Sequence, residues 1–175
     1  TLTSASFQDS LDVTSATSNA KLTLGSVANI LAGADRNLVV NAATAGDLGA
    51  TLTLGLTSNA NGVAGLTNAA LANRTVTVTG AAYDLANASV GSTLALGNIR
   101  RGAAYNLGVT NATITAAAYQ DSLRVAATSS DTGALTVTSP ADILAGASGN
   151  VTVSAAAAGV LTGVNVSLAL TSKAL

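Results

Sequence analysis

Hydrophobic and polar residues alternate with a period of two along much of this 175-residue chain. Leu52, Leu54 and Leu56 are separated by Thr53 and Gly55, Val76 and Val78 lie among Thr75, Thr77 and Thr79, and Val164, Val166, Leu168 and Leu170 alternate with Asn165, Ser167 and Ala169. Successive side chains of an extended strand point to opposite faces, so each stretch carries an apolar row on one face and small polar groups on the other. Shorter runs of the same kind occupy 22–24, 38–40, 94–96, 107–109, 135–137 and 151–153. Between them stand Asn61-Gly62, Gly46-Asp47 and Ser148-Gly149-Asn150, residues that tolerate turn geometry. Many short strands at this spacing predict an all-β sandwich. The alanine-rich stretches 68–73 and 155–158 leave helix a minor role, because Gly159 and the flanking Thr and Val segments favour strand connections.

The pattern is also written twice. Phe7-Gln8-Asp9-Ser10-Leu11 returns 112 residues later as Tyr119-Gln120-Asp121-Ser122-Leu123, and Ile30-Leu31-Ala32-Gly33-Ala34 returns 113 residues later as Ile143-Leu144-Ala145-Gly146-Ala147. Between these anchors Leu22-Thr23-Leu24 matches Leu135-Thr136-Val137, and Leu11 and Val13 match Leu123 and Val125. Residues 1–58 thus correspond to about 113–172, with one-residue slips near Lys21 and Gly46, while 59–112 occur once. Pro140 stands where the first copy has Val27, which predicts a strand edge or turn. The chain spans about one and a half periods, and the expected plan is two units: 1–88, lacking its opening strands, and 89–175, lacking its closing strand.

The segment Ser89-Val90-Gly91-Ser92-Thr93-Leu94-Ala95-Leu96-Gly97-Asn98-Ile99-Arg100-Arg101-Gly102, followed by Tyr105-Asn106-Leu107-Gly108-Val109-Thr110-Asn111-Ala112, resembles the opening "Leu-x-Leu-Gly-x-Val-x-x-Gly … Leu-x-Val-Thr-Asn" of the bacterial choice-of-anchor D repeats. Thr75-Val76-Thr77-Val78-Thr79-Gly80-Ala81-Ala82-Tyr83 resembles the closing strand of a preceding repeat, and Tyr119 to Leu123 fits the repeat's middle, so the likeness runs over nearly the whole chain. The resemblance implies tandem immunoglobulin-like antiparallel β-sandwich repeats, each incomplete at a chain end. It also implies an architectural role in a large secreted or surface-anchored protein, with no catalytic residues to carry over.

Composition narrows the chemistry. The chain has no Cys, His, Met or Trp, and its net charge of −1 comes from seven basic and eight acidic residues. Without imidazole or thiolate, zinc, haem and copper sites and His-dependent nucleophilic systems lose their usual ligands and bases. A near-neutral chain lacks the basic footprint that binds nucleic acid. Asn150, Thr152, Ser154, Asn165 and Ser167 interrupt the uncharged stretch before Lys173, so it does not read as a spanning helix. One Phe and three Tyr are too few for the aromatic girdles of a membrane barrel.

Individual candidates are few. Asp9 and Asp121, beside Gln8 and Gln120, suggest calcium, but neither segment supplies a second carboxylate, and an Asx turn or cap is the simpler reading. Phe7 and Tyr119 read as core plugs. Arg100-Arg101 could meet an anionic glycan or lipid, and reads more simply as a solvated edge that discourages strand pairing. Acceptor patterns for N-glycosylation at Asn73, Asn87, Asn111, Asn150 and Asn165 are expected by chance in so Asn-, Ser- and Thr-rich a chain. The expectation is therefore no enzyme, no catalytic, cofactor-binding or metal site, and no cofactor. The expected role is that of a structural stalk, matrix or surface-layer segment of an extracellular or cell-surface bacterial protein. Its partners would be adjacent repeats or other copies, met through β-strand complementation. The alternatives are a filament subunit completed by a neighbour's strand and an adhesin module binding glycan or protein through its loops.

Overall fold

The computed structural model describes residues 7–175. They form two compact units divided between Ala82 and Tyr83. The division falls ahead of residues 83–88 because these join the second unit: the Ala86 N–H donates to Ser172 Oγ and Ala88 pairs with Asn111. The fold is all-β. The described residues contain no α-helix, and a 3-10 turn spans Ala117–Tyr119.

In the first unit, β1 (Ser10–Thr17) lies antiparallel between β3 (Val27–Ile30) and β6 (Ala50–Asn59), and β6 also pairs with β7 (Ala69–Ala70) and β8 (Arg74–Val78). Two short ladders accompany this sheet: β2 (Leu22–Leu24) with β4 (Val40–Ala42), and β5 (Gly46–Asp47) with β9 (Ala81–Ala82). The buried apolar residues here are Leu22, Ala45, Leu52 and Ala60.

In the second unit, a four-stranded sheet runs β10 (Ala88–Val90), β11 (Ala104–Asn111), β14 (Ser148–Ala155), β13 (Leu135–Thr138), and a separate pair joins β12 (Ser122–Ser129) to β15 (Val166–Lys173). One apolar cluster draws on both sheets. Val109, Leu135, Val151 and Val153 come from the larger, Leu123 and Val125 from the smaller, and Ile143 from the connection, all between 0 and 4% exposed. Leu94 and Leu96 pack against this cluster without forming the strand their alternation predicts.

The two copies of the sequence motif adopt the same pairings. Leu11 faces Ser58 and Val13 faces Leu56, as Leu123 faces Ser172 and Val125 faces Leu170. Leu22, Thr23 and Leu24 face Ala42, Asn41 and Val40, as Leu135, Thr136 and Val137 face Ala155, Ser154 and Val153. Leu11 meets Ile30 and Leu123 meets Ile143, but the first contact belongs to a strand and the second is an isolated bridge. Pro140 accounts for this difference. It occupies the place of Val27, which pairs with Val13, and proline has no N–H to give a ladder.

The copies differ in what covers them. In the second unit β14 has β13 on one side and β11 on the other. In the first, β4 has only β2, and no described strand borders its other edge. Val153 is accordingly 1% exposed and its counterpart Val40 38%.

Candidate functional site

The second unit closes on a buried amide lock at the end of β11. Asn111 is fully buried, and its side chain makes four hydrogen bonds. Nδ2 donates to the carbonyls of Asp121 at 2.9 Å and Ile143 at 3.1 Å, while Oδ1 accepts from the Asn87 N–H at 2.9 Å and Gln120 Nε2 at 3.1 Å. Its backbone is held as well, N–H to the Ala147 carbonyl at 3.0 Å and carbonyl from the Gly146 N–H at 2.7 Å. Gln120, equally buried, also donates to the Ala112 carbonyl and accepts from the Ile114 N–H. Every hydrogen-bonding position of the Asn111 amide is thus used, as burial without penalty requires.

The walls of this lock exist a second time. In the first unit, Phe7 to Leu11 and Ile30 to Ala34 line an open groove of about 810 Å³, with Ser58, Leu66 and Leu71 completing it. The Ala34 N–H donates to the Leu31 carbonyl at 2.9 Å, as the Ala147 N–H does to Leu144 at 3.0 Å. Gly33 takes φ +80° and Gly146 φ +77°, a left-handed turn open to glycine. These walls share the turn geometry of the second unit, and among the described residues no hydrogen bond reaches the Gln8 side chain.

The acids singled out in sequence do not make Asx turns. Asp9 Oδ2 accepts from Ser58 Oγ at 2.7 Å, and Asp121 Oδ2 accepts from Ser172 Oγ at 2.8 Å, so each ties its strand pair together from the side. Among the described residues no group of three or more acidic, His or Cys side chains could hold a metal ion. Phe7 is no core plug, being 86% exposed. Tyr119 packs against Tyr83, ring centroids 5.8 Å apart. Arg100 and Arg101 lie exposed in the turn before β11. Of the glycosylation patterns, the one at Asn111 is sealed by burial. The cavity of about 370 Å³ lined by Leu94, Leu107, Leu135, Val153 and Leu168 has no ionisable side chain in its wall. No described helix is long and apolar enough to cross a membrane.

One polar cluster at equivalent positions has changed its chemistry between the copies. In the first unit the Asp12 carboxylate accepts from the Asn29 N–H and from Asn59 Nδ2, both at 2.7 Å, and these bonds hold its pKa below the ordinary value. In the second, Arg124 grips Asp142 through Nε at 3.0 Å and a terminal nitrogen at 3.1 Å, and Lys173 donates to the same carboxylate. The Arg124 hydrogen bonds, followed by that from Lys173, hold the Asp142 carboxyl well below the usual range. A depressed carboxyl favours the folded state above its unfolded pKa of about 3.9, and that advantage disappears as pH falls toward the folded value. Asp142→Asn should therefore lower the denaturation midpoint of the second unit slightly at pH 7, and the gap should narrow progressively below about pH 4 as pH falls toward the folded value, as read by tyrosine fluorescence. A gap that did not narrow in acid would assign the effect to shape rather than charge.

No family model matches the chain, and no curated protein and no solved structure matches it.

Proposed function

We propose that this chain is a structural repeat segment of an extracellular or cell-surface bacterial protein, a stalk, matrix or surface-layer element whose task is to fill distance and bear load. The observation that carries the reading is the recurrence of register. Two copies of one motif, 112 to 114 residues apart, pair Leu11 with Ser58 and Leu123 with Ser172, and Leu24 with Val40 and Val137 with Val153. Facing sheets around an aliphatic cluster fit immunoglobulin-like sandwiches, and linked units of that kind extend reach by stacking nearest neighbours. The hydroxyl-rich, weakly charged surface agrees with this, as does the resemblance to choice-of-anchor D repeats. From fold to role the warrant is architectural analogy.

A filament subunit completed by a neighbour's strand is the second reading, favoured by the open edge of β4. Against it, the strands that could be donated are already engaged: β11 lies between β10 and β14, and β8 pairs with β6. Electron microscopy of native material, with mass spectrometry of the intact polypeptide, separates the two. A mass well above that of 175 residues together with a beaded thread is expected. Regular fibres built from a chain of this length would overturn the stalk.

A further inference from the structure

We infer that the open groove of the first unit is a receptor for a β-strand of the same repeat, reading Tyr-x-Leu-x-Val-Thr-Asn and joined ahead of Phe7 as β11 is joined ahead of Tyr119. The inference rests on the repeat reading above and names what joins one unit to the next.

The second unit displays the occupant in place. β11 pairs Tyr105 with Val153 and Leu107 with Val151, and Asn111 then enters between the Asp121 and Ile143 carbonyls. The first unit carries the counterparts of the receiving residues, although its strand there runs only over Val40–Ala42 where β14 runs over Ser148–Ala155. Val40 and Leu38 stand for Val153 and Val151, Asp9 and Ile30 for the two carbonyl residues, Gly33 and Ala34 for the turn that holds the Asn111 backbone, and Gln8 for the amide that clasps its side chain. The affinity of an added strand comes from backbone bonds, and its selectivity from the pockets that take alternate side chains. Here selectivity falls on one buried amide: only asparagine at the end of the strand can donate to both carbonyls and accept from Gln8.

Exposure differs between the copies in the same places. Leu11, Val13 and Ile30 are half-buried, where Leu123, Val125 and Ile143 are 2 to 3% exposed. Arg36 is the departure from equivalence, standing where an added Cβ on Gly149 would come within 3.0 Å of Ile143 and Pro140. The matching acceptor is therefore the Leu31 to Ala34 turn together with residues 38–42. Attachment to the same chain is favoured over a second copy because β11 of every copy is already committed, Val109 and Asn111 being fully buried.

The absence of cysteine makes the test clean. Residues 103–112 are copied directly ahead of Thr1, which stands 112 positions before Thr113 and so reproduces the natural spacing. Thiol labelling of Val40→Cys in the full chain is then compared with and without this graft, and hydrogen exchange of residues 38–42 is followed in the unsubstituted chain. The graft should slow labelling about tenfold or more and protect those amides. A graft with leucine in the place copied from Asn111 should lose most of that protection. Unchanged labelling and unchanged exchange with the graft would overturn the inference, even if beaded threads upheld the structural role. A free peptide of the same sequence should protect far less at micromolar concentration, because a short tether supplies an effective concentration of order millimolar. Equal protection by the free peptide would overturn the covalent source and point to strands from other chains.

Discussion

Leu123→Ala is expected to destabilise the second unit by about 3 kcal/mol, and Leu11→Ala the first by only about 1 kcal/mol, although both replace the same residue of the same motif. Leu123 is 2% exposed, inside a cluster of Val109, Val125, Leu135, Ile143, Val151 and Val153, so truncation removes apolar burial and leaves a cavity that close packing cannot collapse. Leu11 is half-buried beside an open groove, where solvent already reaches part of the space. All three tyrosines lie in the second unit, so tyrosine fluorescence during denaturant unfolding follows Leu123→Ala, and hydrogen exchange of β1 and β6 follows Leu11→Ala. Equal losses at the two sites would mean that the first unit is as well covered as the second. With the strand graft in place, the Leu11→Ala loss should rise toward that of Leu123→Ala.

Asn111→Leu is expected to cost the second unit about 3 kcal/mol despite the near-equal size of the side chains. The leucine fits the space but strands a buried donor of Gln120, the Asn87 N–H and one bond each to the Asp121 and Ile143 carbonyls. Unmet buried donors carry the desolvation penalty that a satisfied network avoids. Asn111→Leu combined with Gln120→Leu should cost less than the sum of the single changes, because each single change orphans the other's partner. A double-mutant cycle on denaturant midpoints measures this coupling, and strict additivity would show that the two amides act separately.

Much of this architecture was legible in the alternation of apolar residues. The runs containing Leu52 to Leu56, Val76 to Val78 and Val166 to Leu170 are β6, β8 and β15, because a strand with one dry face leaves a period-two trace. The alternation at 94–96 deceived, since an apolar row needs a neighbouring strand as well as a dry face, and Leu94 and Leu96 pack on the cluster without ladder partners. The 38–40 run is strand only from Val40 onward for the same reason. The alanine-rich stretch 68–73 contains β7 rather than helix, because Ala69 and Ala70 find partners on β6. The amide lock was the harder case. Gln8 and Gln120 were visible as repeated residues, but an asparagine that serves a network 32 residues away in sequence looks in isolation like any loop or glycosylation asparagine. Recurrence of Gln-Asp-Ser-Leu beside Ile-Leu-Ala-Gly-Ala was the available signal, since both segments turn out to be walls of one pocket.

The near-constant displacement between the paired strands, 112 to 114 residues, has a genetic consequence. Because corresponding residues occupy the same place in the paired ladders, an unequal exchange between matching positions of the two copies deletes or adds one whole period and rejoins the chain in register. A break after Leu11 that resumed at Arg124 would still set the leucine opposite Ser172, its partner's equivalent. For an array of the kind proposed above, length would change in single steps that keep these pairings, and length variation among close relatives is the trace this would leave.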